Sequence, residues 1–204
     1  MYKLSYFQES DLALVHEFMR QHPFVVLCGV DAHGHPVATQ VPVFIDEKDG
    51  EIFLTGHIMK NTDHHKAFEV NPKVLALFTG PHTYVSASWY TDKKSASTWN
   101  YITVHARGEM KYTDHQALLN ILKRTTDHFE NNPHSPSNFD QLPQDYVEKL
   151  SNAIVAFEIK VEELDNVFKL SQNHSDTNRK SIIDHLRQGD EESKRIAEEM
   201  AKRQ

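Results

Sequence analysis

Residues 79–108, TGPHTYVSASWYTDKKSASTWNYITVHARG, contain two strand-like patterns separated by a polar loop. From 84 to 90 the sequence alternates Tyr, Ser, Ser and Tyr with Val, Ala and Trp, and from 99 to 106 it alternates Trp, Tyr, Thr and His with Asn, Ile, Val and Ala. A period of two is typical of β-strands, so we predict two strands joined by the loop 91–97, which contains Lys93 and Lys94. Neither face is wholly apolar. Aromatic rings mixed with hydroxyls suit a flat ligand with a polar edge, or a β core whose Tyr and Trp polar atoms bond internally.

The composition is that of an ordinary folded protein. The 204 residues are 39% hydrophobic and 25% charged, which argues against a disordered chain and is enough for one core. No apolar run approaches the roughly 20 residues needed to span a bilayer, and the first residues lack the pattern of a secretory signal. The one cysteine, Cys28, cannot form an internal disulfide, so we predict a cytoplasmic protein in which this thiol is a small buried side chain. The net charge of −7 disfavours non-specific binding to nucleic acids.

The rest of the chain predicts hairpins with helices placed between them. Helix-start signals occur at Ser10 or Asp11, at 61–63 and at 113–116, where the pattern resembles a capping box, and a short helix is predicted over 143–151. Besides the two central strands, we predict strands over 24–30, 37–45, 51–55, 73–78 and 153–161. Pro42 weakens the edge of its strand or marks a bulge. Sequential hairpins that can close on themselves predict an antiparallel barrel, because closure removes exposed sheet edges.

Several motifs of this chain resemble those of the PaiB-type FMN-binding proteins. They are GPHTYVSASWY, STWNY and VHARG in the central stretch, MYKLSYFQESD at the start, GHIMKNTDHHKAFE, and FKLSQNHSDTNR near the end. This family is described as negative transcriptional regulators and is similar to other FMN-binding split barrels. The resemblance implies a mainly β (α+β) fold, an antiparallel split β-barrel with peripheral helices and a helical C-terminal tail. It also implies a homodimer with FMN at the subunit interface.

The segment around Gly56, Lys60 and Thr62 has features that suit a phosphate group. A glycine permits close backbone approach, a lysine supplies charge, and a helix start supplies free N–H groups. The residues alone are equally compatible with a plain helix cap followed by a surface lysine, and Asp63 would repel an anion. The resemblance to the split-barrel family implies that His57, Lys60 and Thr62 hold the flavin phosphate and ribityl chain.

The resemblance also implies contacts to the isoalloxazine ring. Thr39 and Gln40 would lie beside its polar edge, although these residues alone could be an ordinary solvent-facing pair. The remaining candidates are Ser88 and Trp89 near the ring, Trp99 and Asn100 from the partner subunit, and Lys169 and Gln172, whose KLSQN segment would close the far side.

Other chemistries have weaker support in the sequence. His57, Asp63, His64 and His65 suggest a metal, but adjacent histidines on a helix point about 100° apart, and no established ligand spacing is present. We therefore predict no metal site. A G-x-S-x-G elbow is absent, which disfavours a serine hydrolase. No residue is identified as a catalytic acid or base, so the reaction stays open.

The C-terminal segment 175–204 predicts two helices broken at Gln188–Asp190. This pattern allows a helix-turn-helix, but acidic residues match its basic ones, which favours a salt-bridged tail packed on the barrel or on a dimer mate. We expect one FMN-binding domain over 1–174, with 175–204 as its helical extension. Three functions are compatible with these features: a flavin-dependent oxidoreductase or flavin-linked regulator, a transcriptional repressor with FMN as a structural or sensing ligand, and a barrel that has lost its cofactor.

Overall fold

The computed structural model describes residues 1–2, 4–91 and 95–203, so the predicted polar loop at 91–97 lies partly outside the described residues. The helices are α1 (Leu12–Gln21), α2 (Asp63–Val70), α3 (His115–Glu130), α4 (Gln144–Ser151), α5 (Asp176–Leu186) and α6 (Glu191–Ala201). The strands are β1 (Phe24–Val30), β2 (Pro36–Pro42), β3 (Phe44–Lys48), β4 (Glu51–Met59), β5 (Lys73–Val85), β6 (Thr98–Tyr112) and β7 (Ile154–Lys169). Short 3₁₀ turns occur at Ser5–Phe7, Ala87–Trp89 and Phe139–Gln141.

The strands form one sheet in the order β2-β1-β5-β6-β7-β4-β3. β1 is antiparallel to β2 and β5, and β4 is antiparallel to β3 and β7. The two end strands of this order, β2 and β3, are separated in the chain only by Val43. In a flat sheet they would lie about 29 Å apart, at ~4.8 Å per strand, so the sheet has to curl until its two ends approach. The predicted antiparallel split barrel with peripheral helices is therefore confirmed.

The chain divides into two compact units. The barrel unit comprises 23–77 and 106–164 and includes residues of all seven strands together with α2, α3 and α4. Its interior is formed by fully buried side chains such as Leu27, Leu54 and Phe157. The ring of Phe68 on α2 packs so closely on β1 that a Cβ at Gly29 would lie 2.5 Å from it.

The helical unit comprises 1–22, 78–105 and 165–204, and includes α1, α5, α6 and the remaining parts of β5, β6 and β7. The two predicted C-terminal helices are present, and they break between Leu186 and Glu191 as expected. Their apolar side chains are buried, including Ile182, Leu186 and Ile196, so this segment packs within the unit as an integral part of it. The predicted domain boundary at 174 remains a prediction.

The structure differs from the sequence-based expectation at three places. The first central strand ends at Val85 instead of continuing to Tyr90, because the Ser86 hydroxyl accepts a hydrogen bond from the Ser88 N–H at 3.2 Å and turns the chain. The predicted strand 37–45 is divided at Val43, directly after Pro42, which cannot donate to a ladder. β4 runs to Met59, beyond the predicted end at Thr55, so His57 lies within a strand.

None of the helices in the described part of the chain combines the length and apolar character needed to cross a membrane.

Candidate cofactor-binding site

Three neighbouring elements of the barrel unit carry five of the predicted site residues. β2 contacts both β4 and α2. The approach of β2 to β4 depends on Gly56, because a Cβ there would lie 2.9 Å from the Pro42 carbonyl oxygen. Thr39 and Gln40 lie on β2 and His57 lies on β4, while Lys60 and Thr62 lie in the turn that joins β4 to α2. The fold therefore gathers the elements that sequence reasoning selected for the flavin phosphate and one edge of the ring.

The start of α2 is a well-capped helix terminus. The Thr62 hydroxyl accepts a hydrogen bond from the His65 N–H at 3.2 Å and donates to the Met59 carbonyl at 3.0 Å. The Asp63 carboxylate accepts a hydrogen bond from the His64 N–H at 2.8 Å. Two of the terminal amides thus have partners. In this structure Thr62 acts as an ordinary helix cap, the alternative to a phosphate ligand that the sequence left open.

Lys60 is the positive group beside this terminus. It is half-buried, and its ammonium group donates to the Asn152 carbonyl at 3.2 Å. In the described part of the chain no carboxylate forms an ion pair with it. An uncompensated ammonium next to a helix start is the feature of this segment that could attract a phosphate.

His57 lies on β4 opposite Ala156 of β7. Burial lowers the pKa of this imidazole below its ordinary value, because desolvation penalises the charged form. His57 is therefore neutral at pH 7. It can exchange hydrogen bonds with a ribityl hydroxyl or a phosphate, but it does not add positive charge to the site.

Thr39 and Gln40 lie next to each other on β2. Successive side chains on a strand point to opposite faces, which explains why Thr39 is half-buried while Gln40 is exposed. β2 is an end strand of the sheet order and pairs with β1 through the register Leu27–Thr39 and Val26–Gln40. A flat ligand at this edge could bond to the side chain of one residue and the backbone of the other, but not to both side chains on one face.

In the helical unit, Trp89 and Ser88 lie in the turn that follows β5. The indole of Trp89 stacks on the imidazole of His185, with centroids 4.9 Å apart and planes 15° apart. Its carbonyl accepts a hydrogen bond from the Ser181 hydroxyl at 2.8 Å, which ties the turn to α5. Ser88 is exposed, and its hydroxyl lies 2.8 Å from that of Ser86.

Trp99 belongs to an exposed aromatic cluster. Its side chain is 53% exposed, with the ring of Tyr84 at 6.0 Å and that of His82 at 6.1 Å. His82 and Tyr84 lie on alternate positions of β5, the strand next to β6. Sequence reasoning did not select His82 and Tyr84 as site candidates. The only signal in the sequence was that these two aromatic rings lie two positions apart, on one face of a strand.

Asn100, next to Trp99, points into the interior and is fully buried. Its amide nitrogen lies 3.5 Å from the Met200 sulfur, and its amide oxygen accepts a hydrogen bond from the Ser171 hydroxyl at 3.1 Å. Both polar atoms therefore already have partners that tie β6 to α6 and to the end of β7. Its contact with a flavin stays a prediction.

Lys169 and Gln172 hold the segment after β7 in place. The Lys169 ammonium group donates to the Thr98 hydroxyl, and burial lowers the pKa of this lysine. The Gln172 side chain accepts a hydrogen bond from the Leu170 N–H at 2.7 Å and donates to the Phe168 carbonyl. These bonds stabilise a turn, and flavin contacts by either residue stay predictions.

The histidines of α2 have partners within the chain. His64 bonds to Asp63, whereas His65 is buried and stacks on Tyr112 at 5.0 Å. Throughout residues 1–2, 4–91 and 95–203, no group of three or more His, Cys, Asp or Glu side chains is placed to hold a metal ion.

Comparison with known proteins identifies the family. A family model with the description "Putative FMN-binding domain" matches residues 1–163. The chain is 31% identical over 186 residues to the protease synthase and sporulation protein PAI 2 of Bacillus subtilis, covering 91% of this chain and 89% of that one. FMN, the cofactor predicted from the sequence, is the one that the family description names.

Two solved structures are similar in fold. A conserved hypothetical protein of Mycobacterium tuberculosis superposes with a TM-score of 0.60 at 14% identity, over 85% of this chain and 92% of the other. The FAD and heme binding protein of Mycobacterium smegmatis superposes with a TM-score of 0.59 at 17% identity, over 79% and 73%. At these identities the likeness concerns the fold alone. From the family match and the PAI 2 relative, we conclude that this chain belongs to the PaiB-like family of FMN-binding domains.

Proposed function

We propose that this chain binds FMN, with the flavin phosphate held at the junction of β4 and α2. The observation that carries the proposal is the convergence of β2, β4 and the start of α2 in the barrel unit, with the uncompensated Lys60 ammonium at that junction. Lys60 would form a charge-assisted hydrogen bond with the phosphate, and neutral His57 would bond to an oxygen atom of the phosphate or ribityl chain. The Thr62 hydroxyl, whose proton is donated to the Met59 carbonyl, would accept a hydrogen bond from a ribityl hydroxyl. The membership of the chain in an FMN-binding family supports this assignment.

We further propose that the protein is a cytoplasmic homodimer with FMN at the subunit interface. The exposed Trp99, with Tyr84 beside it, forms an aromatic surface. This surface is suited to pack against the flat isoalloxazine ring of FMN at the interface with a second subunit. Ser88 is exposed, and Trp89 is half-buried against His185, so both would lie beside the ring. Asn100, Lys169 and Gln172 would act by holding β6 and the segment after β7 in position for these residues.

In this proposal the redox chemistry belongs to the flavin. Bound FMN accepts and releases electrons, and the protein determines which face is accessible and which hydrogen bonds tune it. Thr39 and Gln40 at the free edge of β2 would provide such bonds to the polar edge of the ring. We therefore propose a flavin-dependent oxidoreductase or a flavin-linked regulator.

A substitution at Lys60 tests the phosphate site. Lys60→Ala should reduce FMN affinity about tenfold, or ~1.4 kcal/mol, because a charge-assisted hydrogen bond is lost. Riboflavin lacks the phosphate, so its affinity should change little. Both affinities can be measured by titrating flavin-free protein and following the quenching of flavin fluorescence.

Lys66→Ala is the matched control, since Lys66 is an exposed lysine on α2, the helix that follows Lys60. It should leave both affinities unchanged. Equal losses for FMN and riboflavin in Lys60→Ala would remove Lys60 from the phosphate site. Failure of the unmodified protein to bind either flavin would overturn the proposed function.

A further inference from the structure

The helical unit contains a cavity of about 520 Å³ that none of the predicted flavin residues lines. It lies between α1 and α6, over side chains of β5, β6 and β7. Its volume falls within the range of roughly 300–1,000 Å³ that is usual for small-molecule sites. Because its walls come from sequence positions as far apart as Leu14 and Arg203, sequence patterns gave no sign of it.

The floor of this cavity is aromatic. Phe18 and Phe168 are both buried, and their rings meet edge to face at 5.6 Å. Phe18 is seated over Gly80, where a Cβ would lie 2.5 Å from the ring. Ile102 completes an apolar surface on which the body of a ligand could rest.

The cations around the cavity already have partners. Arg195 pairs with Glu192 at 3.6 Å, and Lys202 pairs with Glu199 at 2.7 Å. Arg203 donates to the Glu199 carboxylate at 2.6 Å, and its guanidinium group lies 5.0 Å from the centre of the Phe168 ring. Arg203 also faces a second carboxylate, that of Glu9, at 3.6 Å, so each of these positive groups already has a carboxylate partner.

Two carboxylates that line the same cavity are not compensated. Glu17 accepts a hydrogen bond from the neutral amide of Gln21 at 2.7 Å. Glu198 also lines the cavity, and in the described part of the chain no cation forms an ion pair with either carboxylate. Both residues are exposed, so the mouth of the cavity has two solvent-accessible carboxylates that are available to a cationic ligand.

His22 adds a hydrogen-bond acceptor to the wall. Its Nδ1 lies 2.9 Å from the Phe18 carbonyl oxygen, which can only accept, so Nδ1 carries the proton in the neutral ring. The Nε2 atom is then the acceptor of an imidazole that lines the cavity and stacks on Phe18 at 4.3 Å.

We propose that this cavity binds a small organic cation, a primary ammonium group attached to an apolar or aromatic body. The ammonium group would donate hydrogen bonds to Glu17, Glu198 and His22, while the body packs on Phe18 and Phe168. An ammonium group over aromatic rings gains further from their quadrupoles, and charge-assisted bonds add directional specificity. An anion of the same shape would meet two uncompensated carboxylates and is rejected.

The test compares three ligands with the same ring: benzylamine, which is protonated at pH 7, benzyl alcohol and benzoate. Binding is measured by isothermal titration calorimetry on the full chain, with and without added FMN. Benzylamine should bind in both cases at least about tenfold more tightly than benzyl alcohol, and benzoate should show no binding. The doubly substituted Glu17→Gln/Glu198→Gln protein should lose this preference.

Two further variants make the result specific. Gln21→Lys places an ammonium group one helical turn after Glu17, where it would compete with the ligand, so it should also lower benzylamine affinity. Glu191→Gln removes an acidic residue of α6 that does not line the cavity and should leave the affinity unchanged.

Three outcomes would each overturn the proposal. They are no binding of benzylamine at millimolar concentration, equal binding of the three ligands, and unchanged benzylamine affinity in the double variant. None of these outcomes depends on flavin binding, which is followed separately by absorbance.

Discussion

At the scale of single residues, Asn100 shows how a polar side chain can serve the interior of this protein. Its amide is fully buried, and both polar atoms are bonded, to Met200 on one side and Ser171 on the other. A buried amide is tolerated because its hydrogen bonds replace those it loses with water. The residue therefore fixes how β6, β7 and α6 meet in the helical unit.

Replacing this amide by a carboxyl group should be strongly destabilising. We expect Asn100→Asp to lower the free energy of unfolding by about 2–4 kcal/mol at pH 7, because an ionised carboxylate would be buried with only the Ser171 hydroxyl as donor. Burial raises the pKa of such a carboxyl group above that of the unfolded chain, so stability is lost as pH rises through the unfolded value of about 3.9 and is regained at lower pH.

Urea unfolding at pH 7 and pH 4.5 measures this difference. Asn120→Asp is the control, since Asn120 is exposed on α3, and it should change stability by less than about 0.5 kcal/mol. A loss in Asn100→Asp that is small or independent of pH would contradict the assignment of this amide as a buried, bonded group.

At the scale of elements, the pairing of β6 with β7 in the barrel unit depends on one glycine. A Cβ at Gly108 would lie 1.9 Å from the Lys160 carbonyl oxygen and 3.1 Å from the Val161 Cα. Both neighbours are backbone atoms, which cannot rotate away as a side chain can. The close approach of the two strands therefore requires the absence of a side chain at this position.

Gly108→Ala should accordingly separate the strands or bend β6. We expect a loss of more than about 2 kcal/mol in the free energy of unfolding, above the usual cost of a single substitution, measured by chemical denaturation. Gly50→Asn is the matched control. Gly50 has a φ of 79° with nothing within 4 Å of a Cβ, and asparagine tolerates that conformation, so a loss below about 1 kcal/mol is expected. Equal effects of the two substitutions would show that the strand contact is not limiting.

At the scale of the whole molecule, charge bears on the choice between an oxidoreductase and a repressor. The formal net charge is −7, and the second helix of the C-terminal pair begins with Asp190 as its cap and with Glu191 and Glu192 in its first turn. In a helix-turn-helix protein this end of the second helix contacts base edges, where acidic side chains would repel the phosphates. The helix pair instead buries its apolar side chains within the helical unit.

Two measurements on the purified protein separate these functions. We expect NADH or NADPH to reduce bound FMN with turnover, followed by the loss of flavin absorbance near 450 nm and its return in air. We expect no retardation of promoter DNA that weakens with added salt. Salt-dependent retardation without flavin reduction would favour the repressor. The absence of both activities, in protein without bound flavin, would favour a barrel that has lost its cofactor.

Much of the local structure is determined by rules that act over a few residues. β1 occupies the predicted 24–30, and the tail breaks where predicted. Of the predicted caps Ser10 and Asp11 it is Asp11 that caps α1, and within the predicted helix start at 61–63 it is Thr62 that caps α2. The start of α3 was predicted from a capping box at Thr113, but the cap is Asp114, whose side chain accepts a hydrogen bond from the Ala117 N–H. The rule was right and the position was off by one, because two good caps stand side by side.

By itself the sequence determined the antiparallel barrel, because periodicity and turn signals act locally. The family followed from the resemblance of a long motif, and the cofactor is what that resemblance implies. Only the tertiary structure decided which polar residues have internal partners and which do not. Asn100 and Gln172 have their amide groups bonded within the chain, whereas in the described part of the chain no opposite charge forms an ion pair with Lys60, Glu17 or Glu198. The reason is physical: a side chain's type specifies what it can bond to, but its partner is chosen by contacts between elements far apart in the chain.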